Sequence, residues 1–555
     1  MAKVILRSLF FVLFFLSSFQ IISAQTTNSS QLDYESAIRL LNKGANAEAL
    51  EQFDQLVSSG FMDKGLYKYR GISKFRLGDF TGAAEDLDKV RKSDDRLVDG
   101  LLGICKYELH EWDASKYFLI KAISAGYSDG RAHLYLGYLY FDGHQYVEAV
   151  SQLTKAEKAG EKETRLYETR GIAAYYSGDS DLAIKDLAQI VKLEKSSLLV
   201  YEIIGLAYAK QDEINAGIPF LKKADSLASK NNEVYFYLGK GLQENKNCNQ
   251  AIAAYSKAIE FNYASPEVYI NRGNCKIKSG LIKESLPDFD FAIKLNPENT
   301  MAYRGRVAAN LFLKEWARII TDLAIANALG SIETTDWGVL SEAKYALKNY
   351  QGALDEVNNA LAKGVTHYSI NEEKYSFDWQ KGRCLVAMKK FDLALQSLNQ
   401  VQENESTALL FLERAHAYVG LSQFEKAIDE LEEAQIKYPK NSTVFYNSAV
   451  IKEEVGDFGA AVLDYNKAIA INPTDATAYY GRANSKARKG DTMEAIKDLD
   501  KAIDLDNTNA TYYKVRANFH YQTKNKDKAC FDWRKAVEFG DQKARFSIDQ
   551  YCNKK

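Results

Sequence analysis

The chain of 555 residues carries 72 lysine and arginine residues against 74 aspartate and glutamate residues, so its formal net charge is only −2. This balance excludes an overall field that would attract nucleic acid or an acidic membrane surface. Hydrophobic residues make up 46% and charged residues 26%, which excludes an intrinsically disordered chain and an integral membrane protein, and the six prolines favour helices.

The N-terminus has the layout of a secretory signal peptide. Lys3 and Arg7 precede an apolar run at 8–16, and a more polar stretch then leads to a small-residue ending at Ala24. A positively charged start, a short apolar core and small residues before the cleavage point are the features of such a segment. We therefore expect 1–24 to be removed after Ala24, leaving an exported chain with a short linker over 25–30.

An uncleaved membrane anchor is the alternative for the same segment. Its apolar part spans 8–22 and includes serines and a glutamine, whereas a membrane-spanning helix needs about 20 apolar residues. A bacterial lipoprotein anchor would need a cysteine directly after the apolar part, and the first cysteine is Cys105. The sequence therefore predicts no membrane span in the mature chain.

Small residues recur along the chain with a period of 34 residues. Most neighbouring markers are separated by this interval, and a second series of small residues lies twelve residues after the first. The first series is Ala37, Gly71, Gly103, Gly137, Gly171, Gly205, Gly239, Gly273, Val307, Ser341, Gly382, Ala415, Ala449, Ala483 and Ala517. A fixed period of this length predicts a repeat architecture, here of fifteen units.

The fourth unit shows how each repeat is built. Leu136, Gly137 and Tyr140 fall on one face of a first helix, and a turn follows. Ala149 and Leu153 then share one face of a second helix, and the small residues permit a close crossing of the two helices. In several other units a Gly-Asp pair forms the turn. Because one hairpin cannot bury its apolar face alone, each must stack on the next copy, which predicts an all-α solenoid.

These residues resemble the tetratricopeptide-repeat (TPR) family. The shared features are the period, small residues at the eighth and twentieth places, alanine at the twenty-seventh and proline at the thirty-second. Examples of the last two are Ala258, Ala292, Ala468, Ala502, Pro297, Pro439 and Pro473. The resemblance implies an α-solenoid of about fifteen helix-turn-helix repeats, with the first ten over 31–362, the last five over 374–540 and a capping helix over 541–555.

The regular pattern is interrupted at two places. Val307 and Ile319 replace the usual small residues of the ninth unit, which predicts a looser helix crossing there. One longer interval, of 41 residues, leaves extra residues over 363–373. This insertion is either a hinge between two blocks of repeats or an ordinary long loop.

Six cysteines in an exported chain raise the question of disulfide bonds. Cys530 and Cys552 lie at equal distances from Asp541, so an antiparallel hairpin folded there brings the two sulfur atoms level. A bond between them would stabilise the terminal cap, which has no further repeat to pack against. Cys248 and Cys275 are a less symmetric alternative pair, and the other two cysteines are expected in the core.

The residues that carry enzymatic or metal chemistry are scattered. The six histidines form no HExxH motif, no paired CxxC spacing occurs, and no glycine-rich phosphate-binding loop is present. Adjacent acidic residues lie where solvent-exposed faces and turns are expected. Since the repeats occupy nearly the whole mature chain, we expect no enzyme activity, no catalytic residues, no cofactor and no metal.

The resemblance implies a concave groove, formed by the first helices, that holds an extended or helical peptide. Transferred by place in the repeat, the candidate groove residues of the early units are Tyr34, Lys68, Phe75, Tyr107, Tyr138, Phe141, Tyr175 and Tyr176. Those of the later units are Lys240, Asn274, Arg304, Trp379, Arg383, Tyr446, Tyr480, Asn484, Lys514 and Asn518. The early groove is therefore expected to be aromatic and the later one more polar.

The sequence as a whole favours an exported, non-enzymatic scaffold that binds one or more proteins or peptides. The signal peptide and the last unit resemble TPR proteins of the Bacteroidetes periplasm, where such proteins serve envelope assembly, secretion or gliding. This likeness implies a periplasmic location and an envelope complex as partner. Two alternatives remain: a module that binds a cell-wall glycan or peptide, and a structural spacer without a groove ligand.

Overall fold

Paired helices make up nearly all of the part of the chain that the computed structural model describes. The described residues are 29–91, 95–192, 196–331, 333–370, 373–402 and 407–553. The expected signal peptide, 1–24, lies outside them. The described helix that opens the fold already includes residues 29 and 30, so the expected linker over 25–30 extends too far.

Contacts divide the chain into two units, 1–280 and 281–555. In the first unit the described helices are α1 (29–42), α2 (Asn46–Ser58), α3 (Leu66–Arg76), α4 (Phe80–Lys89), α5 (Arg96–Glu108), α6 (Trp112–Ser124), α7 (Gly130–Asp142), α8 (Tyr146–Lys158), α9 (Thr164–Ser177), α10 (Ser180–Val191), α11 (Leu198–Lys210), α12 (Ile214–Ser226), α13 (Asn232–Glu244), α14 (Cys248–Glu260) and α15 (Pro266–Lys278). From α3 to α13, each odd-numbered helix forms a hairpin with the next helix, as the repeat period predicts.

In the second unit the described helices and strands are α16 (Ile282–Leu295), α17 (Thr300–Leu313), α18 (Trp316–Ala328), α19 (Thr334–Ala346), α20 (Tyr350–Ala362), β1 (His367–Ile370), β2 (Glu373–Ser376), α21 (Phe377–Ala387), α22 (Phe391–Leu398), α23 (Ala408–Gly420), α24 (Phe424–Lys437), α25 (Ser442–Glu454), α26 (Phe458–Ile471), α27 (Ala476–Arg488), α28 (Thr492–Leu505), α29 (Ala510–Gln522), α30 (Lys526–Glu538), α31 (Ala544–Ser547) and a π-helix (Ile548–Cys552). From α17 onward the odd-numbered helices again open hairpins. The predicted helical solenoid is confirmed, with one short strand pair added.

Neighbouring hairpins bury apolar side chains against each other because the second helix of one hairpin packs on the first helix of the next. Leu136, Leu153 and Leu166, from three consecutive helices, are almost completely buried together. Burying one side chain of this size stabilises the folded state by about 1.5–3 kcal/mol. The stacking that a lone hairpin lacks is therefore the main source of stability in each unit.

The recurring glycines mark the closest approach of the two helices in a hairpin. A Cβ atom on Gly137 would lie 2.6 Å from Leu153 Cγ, so the leucine sixteen residues later rests directly on the glycine backbone. The same clash would arise at Gly103, Gly171 and Gly205 with the leucine sixteen residues after each, and Gly71 makes a tight contact with Leu87. These positions need glycine because no space remains for a side chain.

The Gly-Asp pairs stop one helix and start the next. Gly78 has a φ of +85°, a left-handed conformation that glycine adopts without strain. The Asp79 carboxylate then accepts a hydrogen bond of 2.9 Å from the Gly82 backbone N–H and so caps α4. Pairs at 178–179 and 456–457 repeat this arrangement.

The expected insertion over 363–373 forms part of an antiparallel strand pair. His367 pairs with Ser376 and Ile370 with Glu373, so β2 extends beyond the expected boundary of the insertion. Tyr368 of β1 is buried against Gly338 of α19, where a Cβ atom would lie 2.2 Å from the ring. The pair is thus held by the preceding hairpin through a packed tyrosine.

The C-terminal cap is built from α31 and the π-helix, which both pack on α30. A disulfide joins Cys530 of α30 to Cys552 at the end of the π-helix. Trp533 and Tyr551 stack beside this bond. The expected single capping helix over 541–555 is therefore two short helical segments. Cys248 and Cys275 are free thiols.

Candidate functional site

Six of the aromatic residues expected in the groove lie in the core instead. Their exposed fractions range from 2% to 9%, and the six are Tyr34, Phe75, Tyr107, Tyr138, Tyr175 and Trp379. Tyr34 packs against Phe53 and Phe61, and its hydroxyl faces Asp63. The place of a tyrosine in the repeat does not distinguish the groove face of a helix from the face that the next hairpin covers.

The remaining candidates keep some exposed surface, and several of their polar groups bind neighbouring elements. Lys68 pairs with Asp95, Arg304 with Asp336, and Lys514 with Asp541. The Trp533 indole N–H donates to Asn518 Oδ1 over 3.1 Å. Partly or largely exposed as well are Phe141, Tyr176, Lys240, Asn274, Arg383, Tyr446, Tyr480 and Asn484.

A recurring ion network holds the hairpins together. The Arg170 guanidinium donates to Asp186 over 2.7 and 3.0 Å and to Glu157 of the preceding hairpin over 2.6 Å. The same connection between an arginine and an aspartate sixteen residues later joins Arg70 to Asp86, Arg306 to Asp322, Arg482 to Asp498 and Arg516 to Asp532. The spacing of sixteen residues between arginine and aspartate is the sequence signal for these networks. It is missed when charged residues are expected to lie on solvent-exposed faces.

These buried carboxylates are fully paired. Asp86 binds Arg70 over 2.7 Å and Lys74 over 2.9 Å. Burial alone would raise the pKa of Asp86, but the hydrogen bonds from Arg70 and Lys74 outweigh burial and hold its pKa below the ordinary value. The networks are therefore structural, and they leave no charge free for a ligand.

A pocket of about 450 Å³ lies between the strand pair and the first helices of neighbouring hairpins. We call it the strand-pair pocket. It is lined by Leu311, Lys314, Trp316, Glu342, Tyr345, Tyr368, Ile370, Tyr375, Trp379, Arg383, Leu409 and Glu413. All of these residues belong to the second unit, and the volume lies in the range of small-ligand and side-chain sites.

An arginine occupies the aromatic wall of the strand-pair pocket. The Arg383 guanidinium lies 3.8 Å from the ring centroid of Tyr345 and 5.2 Å from that of Trp379. Its Nη1 donates to Glu342 over 2.7 Å. Tyr375 stacks on Trp379 with centroids 5.6 Å apart. The wall thus already holds one cation, which rings and a carboxylate stabilise together.

Two polar groups of the strand-pair pocket lack a partner in the described part of the chain. Trp379 is 8% exposed, and its indole N–H has no acceptor. The Glu413 carboxylate forms no hydrogen bond or ion pair there. Burial raises the pKa of Glu413, although His416 and Arg383 act in the opposite direction. Unpaired groups of this kind are costly, which marks the pocket as a candidate binding site.

The strand-pair pocket depends on residues that the sequence identifies only in part. Trp379 and Arg383 are predicted groove residues, and the insertion is predicted as a break in the period. The strand pair and Glu413 are not predicted. The one tyrosine in each of HYSI and EKYS is the available signal for the strands, since Tyr368 and Tyr375 are cross-strand partners.

No metal centre or membrane span stands out in the described ranges. Nowhere in them do three or more histidine, cysteine, aspartate or glutamate side chains lie close enough to hold a metal ion. Within the same ranges, the helices are too short or too polar to cross a membrane.

Family comparisons match two overlapping segments of the second unit. Residues 454–490 match a family model described as TPR repeat, and residues 476–509 match one described as Tetratricopeptide repeat. The matched segments include α26, α27 and α28, whose order and lengths are those of the other hairpins. The hairpins in this part of the chain are tetratricopeptide repeats, a kind of repeat that generally mediates protein–protein interactions.

One curated relative is RNA polymerase II-associated protein 3 from Xenopus laevis. It is 24% identical to this chain over 168 residues, which are 28% of the chain. The chain spans about a quarter (26%) of that protein's length.

Several solved structures are similar in fold. Yeast Tom70 is 15% identical with a TM-score of 0.39, covering 81% of this chain and 93% of that chain. The APC/C hetero-tetramer Cut9-Hcn1 is 12% identical with a TM-score of 0.32, covering 93% and 95%. MamA is 21% identical with a TM-score of 0.28, covering 30% and 96%. At these identities the likeness concerns the fold alone.

Proposed function

We propose that this chain is an exported, non-enzymatic scaffold that binds one or more partner proteins through peptide segments. The strand-pair pocket is one of its contact points. The partners belong to an envelope complex, and the scaffold works in the periplasm in envelope assembly or secretion. The signal-peptide layout predicted for residues 1–24 and the helical repeats support this proposal.

The observation that carries the proposal is the contrast between the paired carboxylates of the networks and the unpaired, partly buried carboxylate of Glu413. The repeat networks satisfy their carboxylates internally, whereas Glu413 lines an aromatic pocket and forms no hydrogen bond or ion pair in the described part of the chain. A group that is costly to leave unpaired in the free protein gains most when a ligand supplies the partner. Beside Glu413, the pocket wall is formed by Tyr375, Trp379 and Arg383, which stack on one another.

Site-specific photo-crosslinking in living cells tests the proposal. Leu409 lines the pocket and is 50% exposed, so a photoreactive phenylalanine analogue there points toward a bound partner. Leu463 of α26 is 63% exposed and does not line the pocket, which makes it the matched control. We expect discrete adducts with partner polypeptides at position 409 that are missing at position 463.

The composition of the adducts separates the alternatives. Adducts only with copies of this chain would indicate a self-associating spacer, and retention of cell-wall fragments without a protein would indicate a glycan-binding module. Either result would contradict a protein scaffold. Fractionation with N-terminal sequencing tests the location: a periplasmic chain that begins at Gln25 is expected, and a chain that retains its first 24 residues in the membrane would contradict export.

A further inference from the structure

We infer that the strand-pair pocket accepts one basic side chain, a lysine or an arginine, from the partner polypeptide, and that this side chain pairs with Glu413. The inference deepens the proposed function and rests on it for the identity of the ligand as a protein segment. It concerns the second unit alone. The contacts that carry it are those of Glu342, Arg383 and Glu413.

Glu413 has no direct ionic partner among the groups that line the pocket. Two carboxylates, Glu342 and Glu413, line it together with two cations, the partly buried Arg383 and the exposed Lys314. Arg383 is bonded to Glu342, so Glu413 receives only longer-range attraction from it. Lys314 lies on the exposed rim and forms no ion pair with either carboxylate in the described part of the chain. An incoming ammonium or guanidinium group would give Glu413 a direct partner.

The apolar part of the pocket matches the stem of a basic side chain. Leu311, Ile370 and Leu409 line it together with the tyrosines. Lysine and arginine bury their methylene stems along apolar surface while the charged end reaches a polar partner. One side chain can therefore contact the leucines and Glu413 at the same time.

A sugar ring is less suited to this pocket. Stacking against a sugar requires a free aromatic face, and the faces of Trp379 are approached by Tyr375 and by Arg383. Arg383 also lies against the ring of Tyr345. The aromatic residues thus hold an internal cation instead of offering an open platform. The groups that remain available to a ligand are the carboxylate of Glu413 and the apolar side chains that line the pocket.

Calorimetric titration of the full mature chain with small probes tests the inference. The probes are N-acetyl-lysine amide, N-acetyl-arginine amide and the uncharged N-acetyl-norleucine amide, with N-acetylglucosamine as the sugar. We expect saturable binding of the lysine and arginine probes, at least tenfold tighter than that of norleucine. Equal affinity for norleucine, or tighter binding of the sugar, would overturn the inference without any substitution.

Two variants locate the binding. Glu413→Gln keeps the shape of the side chain and removes its charge, so we expect at least a tenfold loss of affinity for the lysine probe. Glu425→Gln removes an exposed charge from the first turn of α24, outside the pocket, and affinity is expected to stay unchanged. Unchanged binding by Glu413→Gln would refute the assigned pairing, and helical circular dichroism confirms that both variants are folded.

Failure of this inference is distinguishable from failure of the proposed function. Protein adducts at position 409 that persist in Glu413→Gln would preserve the scaffold and refute the basic side chain as its contact. Tight binding of the lysine probe without any protein adduct would preserve the chemistry of the pocket and refute the scaffold.

Discussion

The ion networks of the hairpins and the strand-pair pocket differ in whether their carboxylates have a charged partner. Arg170, with 2% of its side chain exposed, binds both Asp186 and Glu157, so every charge has a partner. In the pocket, Glu413 has none in the described part of the chain. Buried pairs lose much stability when one partner is removed, whereas an unpaired carboxylate costs stability while it is present. The networks therefore serve folding, and the pocket is available for binding.

Removing a network carboxylate should have the largest effect. In Asp186→Ala the Arg170 guanidinium stays buried without its main partner, so we expect a loss of about 3–5 kcal/mol in the free energy of unfolding. Urea denaturation followed by circular dichroism measures it. Asp504→Ala, on the exposed face of α28, is the control and should change the free energy by less than about 0.5 kcal/mol. Similarly small effects in both variants would contradict the claim that the ion networks stabilise the fold.

The terminal cap provides a covalent counterpart to the ionic networks. Replacing Cys530 and Cys552 with serine opens a loop of 22 residues, and a loss of about 3 kcal/mol is expected. Because a covalent bond does not titrate, this loss should be the same at pH 4 and pH 7, unlike the loss on breaking an ion pair. Denaturation at the two pH values makes the test, and a loss confined to pH 7 would contradict the account.

The acid dependence of stability should distinguish Asp86 from Glu413. The pKa of Asp86 is lower in the folded chain, so its contribution is present above the ordinary value of about 3.9 and is lost as the pH falls through the folded-state pKa. Asp86→Asn should thus destabilise by about 1–3 kcal/mol at pH 7 and less at pH 3. Equal destabilisation at both pH values would show that the ion pairs of Asp86 with Arg70 and Lys74 do not cause the loss of stability.

Replacement of Glu413 should show the reverse pH dependence, with a smaller change in the free energy of unfolding. Its pKa is raised by burial, so its contribution is present below the ordinary value of about 4.3 and is lost as the pH rises through the folded-state pKa. Glu413→Gln should therefore be more stable than the parent by about 1 kcal/mol at pH 7, with the difference vanishing near pH 4. A destabilised variant at pH 7 would mean that Glu413 has a structural partner.

The hairpins could be predicted from the sequence because their signals are local. Gly137 and its counterparts recur at a fixed interval, and Gly78-Asp79 combines a left-handed residue with a helix cap. Both follow from backbone geometry within one unit. The period was therefore enough to give the architecture.

The networks and the pocket could not be predicted because they depend on which helix faces meet. Tyr138 occupies a groove place, yet it is buried under the next hairpin, where Arg165 lies over its ring at 4.3 Å. Glu413 belongs to none of the groove places, and it lines the pocket only because the strand pair closes over the helices. Such contacts follow from tertiary packing across hairpins, which one period of sequence does not encode.

The most direct test of the account is fluorine NMR of the chain labelled with 5-fluorotryptophan and titrated with N-acetyl-lysine amide. Of the five tryptophans, Trp316 and Trp379 line the strand-pair pocket, and Trp112 and Trp533 lie elsewhere. Trp337 packs in the cluster that contains Tyr368 and belongs to neither group, and Trp379→Phe assigns the signal of Trp379. The account predicts saturable shifts of the two pocket signals while those of Trp112 and Trp533 stay fixed. Shifts of all signals alike, or no shift at Trp379, would contradict it.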